Sequence, residues 1–198
     1  MSVYFLAYRG KSPLSRLIRF FTAGDYSHIG LAVQLNVQGY DASVDLVGRL
    51  KTQEKGDLAL WSPKHSERPS RDLSAWGHWY KPWDVKIRAY VIDREHEPGT
   101  VVDIYKLPCT GEEAEKIFAF YREWAGAPYD WLGALTSIVR PTEQDKKRWF
   151  CSEIAYAACL SAGVRLLNET RPHKVTPRIF CLSPYLKRVG SFVTGGTG

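Results

Sequence analysis

The chain has 198 residues, 44% of them hydrophobic and 24% charged, with 27 Lys plus Arg against 21 Asp plus Glu and a formal charge of +6. Such a composition can bury a full core, which excludes intrinsic disorder. The modest, dispersed positive charge admits an acidic partner or a membrane surface and does not point to specific nucleic-acid binding.

Four cysteines, at 109, 151, 159 and 181, are too sparse for a disulfide scaffold and match no zinc-ligand spacing, so they read as reduced thiols. In the first residues Arg9, Lys11, Arg16 and Arg19 interrupt every apolar run before it reaches signal-peptide or membrane-spanning length. The expected setting is cytoplasmic, with signal-free release or virion association as the alternative.

Residues 3–8 read as a strand closed by Gly10. Ser12 and Pro13 supply an N-cap and a first helical residue for a short helix that runs through Phe20 and Phe21 to Gly24. His28 to Leu35 reads as a strand, with Val37 to Val44 as its hairpin partner. Between Trp61 and Trp83 the prolines and tryptophans suggest a long loop. Val85 to Ile92 alternates as a strand, and Glu97-Pro98-Gly99 suggests a hairpin to Val101–Leu107. Thr110 and Glu113 form a capping box for an amphipathic helix ending near Gly126, and a second helix begins at or just after Cys151 and ends at Gly163. The expected architecture is α+β, an antiparallel sheet packed against helices, as a single domain over 1–194 with a flexible tail at 195–198.

Cys151 in Trp149-Phe150-Cys151-Ser152-Glu153 carries the strongest chemical signal. A thiol at a helix N-terminus meets unpaired N–H groups and the positive end of the dipole, which favour thiolate over thiol, and the same amides can donate to an oxyanion. Cys159, among alanines in mid-helix, reads as a buried structural thiol. A thiol nucleophile needs a base. Of the histidines at 28, 65, 78, 96 and 173, only His28 opens a strand in an apolar setting, with Gly30 leaving room for close approach; the other four read as solvated or incidental. Asp41, on the expected partner strand, is the candidate to orient the imidazole, with Asp45 and Gln34 as competitors. Glu153 reads as a helix-end partner, and Tyr129 as a core aromatic whose hydroxyl could reach the site.

YSHIGL at 26–31, PYDWLG at 128–133 and WFCSEIAYAACLSAGV at 149–164 together resemble the NlpC-like branch of papain-fold cysteine hydrolases. Because the His strand precedes the Cys helix, the order is similar to the circularly permuted YiiX and YaeF type, related to lecithin:retinol acyltransferase-like proteins. The resemblance implies a permuted papain-like fold with Cys151 as nucleophile, His28 as base, Asp41 as the third, polar residue where permuted relatives often have Glu, and Tyr129 beside the site as an oxyanion or substrate-binding group. The implied activity is hydrolysis of a peptide, peptidoglycan-type or lipid amide through an acyl-enzyme, requiring no metal or organic cofactor. The alternatives are an acyltransferase or thioesterase using the same triad, or a structural or binding component of a phage or prophage particle.

Overall fold

The computed structural model describes residues 1–35, 58–64, 66, 68–76, 86–128, 149–168 and 170–195. Strand β1 (Ser2–Arg9) lies near the middle of a seven-stranded sheet because its side chains are apolar on both faces. Val3, Phe5 and Ala7 enter the main core, while Tyr4, Leu6 and Tyr8 enter a smaller core on the opposite face. Helix α1 (Pro13–Phe21) follows, capped by Ser12 with Pro13 at its first turn. Strand β2 (His28–Leu35) returns antiparallel to β1, pairing His28 with Tyr8.

Strands β3 (Leu58–Leu60) and β4 (Arg71–Trp76) both pair with β2, and β5 (Lys86–Val91) pairs with β4. The short helix α2 (Ile92–Glu95) leads to β6 (Val101–Pro108), which pairs with β1, and β7 (Lys187–Val193) pairs with β6. The order is β5-β4-β2-β1-β6-β7, with β3 attached to β2, and every pairing is antiparallel.

Two expectations are corrected. The stretch from Trp61 to Trp83 is not a loop throughout, since β4 runs through it. Its polar residues Asp72 and Ser74 share one face and Leu73 enters the core on the other, the two-residue period of a strand. Nor do β5 and β6 form a hairpin: α2 and the turn at Gly99, whose φ is +78°, carry the chain across to β1. The partner strand expected over 37–44 lies outside the described residues; among those described, β2 pairs with β1, β3 and β4. Gly195, expected in the tail, donates its N–H to Asp93 Oδ1 at 3.0 Å; residues 196–198 lie outside the described set.

The helices cover the main-core face. Helix α3 (Gly111–Glu123) starts at the expected capping box, with Glu113 N–H donating to Thr110 Oγ1 at 3.1 Å and Thr110 N–H to Glu113 Oε2 at 2.7 Å. It buries Ala114, Ile117, Phe118 and Tyr121. Helix α4 (Cys151–Ser161) is buried continuously from Cys151 to Cys159, as a helix apolar all round must be, and packs against α3, β2 and β4. A 3-10 turn (Pro172–Lys174) and helix α5 (Pro177–Cys181) complete this layer. Among the described residues, no helix is long and apolar enough to cross a membrane.

Candidate active site

The start of α4 is fixed from two sides. Trp149 packs edge-on against Trp124 at 5.1 Å and Phe120 at 5.7 Å, and its backbone N–H donates to the Pro128 carbonyl. One residue later, Phe150 N–H donates to Glu153 Oε2 at 3.3 Å, so Glu153 serves the helix end as expected. Cys151, the first residue of α4, is thereby held against the beginning of β2. Its sulfur accepts hydrogen bonds from the N–H groups of Ile29 and Ser152 and shares a hydrogen bond with the His28 side chain.

Strand β4 supplies the far side of the imidazole. His28 Nε2 lies 3.0 Å from Ser74 Oγ and 3.4 Å from Asp72 Oδ2, while Ser74 Oγ donates to Asp72 Oδ2 at 3.2 Å. With that hydroxyl proton directed at the carboxylate, Ser74 Oγ accepts from Nε2–H. A neutral ring in this tautomer keeps Nδ1 as its acceptor, the nitrogen left to take a proton. Gly30 makes the approach of Asp72 feasible: a Cβ at position 30 would collide with the carboxylate.

Burial alone would keep both thiol and imidazole neutral, since Cys151 is 2% and His28 3% exposed. Their mutual attraction prevails. Burial pushes the Cys151 thiol up, but the adjacent His28 charge and hydrogen bond, with the Ile29 and Ser152 amides, bring it below its ordinary value. Burial likewise disfavours the His28 imidazolium, yet Cys151 and then Asp72 raise it to about 9. Their contact therefore shifts the pair toward thiolate and imidazolium relative to the separate groups. Cys159, by contrast, is pushed up by burial, in keeping with a structural thiol.

A second histidine backs the site. His96 is buried and stacks on Tyr8 with ring centroids 4.0 Å apart and planes at 13°, and Tyr8 in turn lies 5.2 Å from the His28 ring. Burial lowers His96 to about 4, so it is neutral while His28 is charged. This corrects its reading as a solvated loop residue. His173 sits half-buried in the 3-10 turn.

The structure thus brings His28 and Cys151 together. Asp41 and Tyr129 lie outside the described residues, as do His65 and His78. Asp72 and Ser74, which occupy the position behind the imidazole, were missed from sequence because β4 is enclosed by Pro69 and a tryptophan-rich stretch. Their signal was the alternation Arg71-Asp72-Leu73-Ser74.

No family model matches the chain, and no curated protein matches it. Among solved structures its fold is similar to that of the metalloprotein YiiX from Escherichia coli O157:H7, with a TM-score of 0.55 and 16% identity over 96% of each chain. The chain therefore has a YiiX-type α+β fold.

Proposed function

We propose that the protein is a cysteine-dependent hydrolase of amide bonds, of the permuted NlpC-like papain type, with Cys151 as nucleophile, His28 as general base and acid, and Asp72 with Ser74 orienting the imidazole. The observation that carries this reading is the buried hydrogen bond between Cys151 and His28 at the first turn of α4. The thiolate attacks the substrate carbonyl, and the N–H groups at the start of α4 offer donors to the oxyanion. His28 in its protonated form then protonates the leaving amine as the C–N bond breaks, and a water activated by the neutral imidazole releases the acyl group. Asp72 and Ser74 hold the ring and stabilise its charged form without taking the proton.

The YiiX structure is described as that of a metalloprotein. Among the described residues of this chain no group of three His, Cys, Asp or Glu side chains has a geometry that could hold a metal ion. The described residues do not fit such a site, and the steps above use the chain's own groups.

The near-complete burial of the sulfur favours a second reading, acyl transfer. A 2% exposed nucleophile keeps bulk water from the acyl-enzyme, so an amine or alcohol acceptor entering with the substrate would compete. Both readings require the site to open for substrate. Incubation with an activated acyl ester, followed by intact-mass and peptide mapping, tests them together. An acyl adduct on Cys151 that is absent in Cys151→Ser supports the enzyme, and added amine diverting the product from acid to amide selects transfer. Absence of any adduct on Cys151 would contradict both.

A further inference from the structure

Helix α1 packs the wrong way round for a helix of a water-soluble surface. Its buried residue is Ser15, which lies against Gly10, where an added Cβ would collide with the serine. Leu14 and Ile18 are half-buried, while Leu17, Phe20 and Phe21 are exposed, Phe20 at 78%. Helical spacing places Leu14, Leu17, Ile18, Phe20 and Phe21 on one continuous apolar arc, with Ser15, Arg16 and Arg19 on the remainder. An amphipathic helix seated on the protein normally does the reverse.

Charge says what this arc suits. From Lys11 to Asp25 the segment carries Lys11, Arg16 and Arg19 against the single acid Asp25. Arg178 of α5 adds a further cation at the C-terminal end of α1, where its guanidinium bonds the Ala23 carbonyl, and the exposed Leu182 follows α5. Apolar and aromatic side chains bordered by Arg and Lys are the composition of a helix lying in a lipid interface, and anionic headgroups, unlike a second copy of a chain of formal charge +6, complement those cations.

We propose that α1 is a docking element for an anionic phospholipid surface, with Leu17, Phe20 and Phe21 entering the acyl boundary and the exposed Arg16 and Lys11 meeting the headgroups. Ser15 and Ser27, the residue before His28, both lie against Gly10, so docking through α1 sets the opening strand of the candidate site close to the membrane. The docking stands on α1 alone and does not depend on the hydrolase reading.

Sedimentation of the full chain with phosphatidylcholine vesicles, with and without phosphatidylglycerol, tests it. The wild type is expected to pellet with the anionic vesicles and to be released by salt. Phe20→Ser/Phe21→Ser should weaken binding by at least about tenfold. Arg16→Gln/Lys11→Gln should abolish the preference for phosphatidylglycerol. Circular dichroism and the alkylation rate of Cys151 should be unchanged in both variants, which separates failure of docking from failure of the catalytic reading. The proposal is overturned if the wild type stays in solution with anionic vesicles, or if the serine variant binds equally well. It is also overturned if, without lipid, the wild type sediments as a dimer that the serine variant dissociates, since the arc would then cover a second copy.

Discussion

The Asp72 carboxylate occupies the space above Gly30 that the Cβ of any other residue would fill. This contact ties β2 to β4 at the point where the imidazole is oriented. Gly30→Ala must therefore displace Asp72 or the strand. It is expected to cost about 1–3 kcal/mol in urea unfolding and to slow alkylation of Cys151, whereas Ala32→Gly should leave the alkylation rate unaltered.

Asp72 is the described carboxylate that faces His28, so Asp72→Asn should lower the His28 pKa from about 9, as read by NMR titration. Amide-hydrolase activity should fall by about two to four orders of magnitude, the scale on which a lost imidazole-orienting carboxylate is felt. Wild-type activity should also decline as the pH rises through about 9, because the proton needed by the leaving group is lost from His28. Asp41→Asn in parallel decides between the two aspartates: loss of activity there, with Asp72→Asn retaining it, would return the orienting role to Asp41.

His96 should make the fold acid-sensitive. Its pKa is about 4 in the folded chain and near 6.5 when unfolded, so between these values only the unfolded chain binds the proton. Stability should therefore fall as pH drops from about 6.5 to 4, by up to roughly 3 kcal/mol from this residue. His96→Phe, which keeps a ring against Tyr8, should flatten that dependence in urea titrations at successive pH values; an unchanged slope would exclude His96 as its source.

Asp103 on β6 is fully buried yet bonded to Arg9 at 2.7 Å, Arg188 at 2.7 Å and the Tyr26 hydroxyl at 2.7 Å. Burial pushes its carboxyl up, but Tyr26 and the two arginines outweigh that and hold it below its ordinary value. Its contribution is present above the unfolded carboxylate pKa and is lost as pH falls through the lowered folded value. Because both arginines are part-exposed and can turn to water, Asp103→Asn should cost about 1–3 kcal/mol, with the loss read at neutral pH and shrinking in acid.

Much of this arrangement was legible in the residues. Ser12-Pro13, Thr110 with Glu113, and Cys151 at a helix start are local signals whose physics acts within a few residues, and the helices begin at those points. His28 stood out because an imidazole at the head of an apolar strand has few reasons to be there. What escaped was set by strand order. Nothing local to Val85–Ile92 says that β5 pairs with β4 and not β6, and nothing local to Asp72 says that β4 will lie beside β2 under Gly30. His96 looked solvated because its neighbours are polar, whereas its burial comes from stacking on Tyr8, distant in sequence.

The rate of Cys151 alkylation by iodoacetamide as a function of pH, in the wild type and in His28→Ala, tests the thiolate–imidazolium pair most directly. A small reagent is required because the sulfur is buried. The wild type should react with its rate curve displaced to lower pH than that of an ordinary thiol, and faster near neutral pH. His28→Ala should keep a thiol at or above its ordinary pKa, react about 100-fold more slowly at pH 7, and recover only in alkali. Two superimposed curves, each rising as an ordinary thiol deprotonates, would contradict the account.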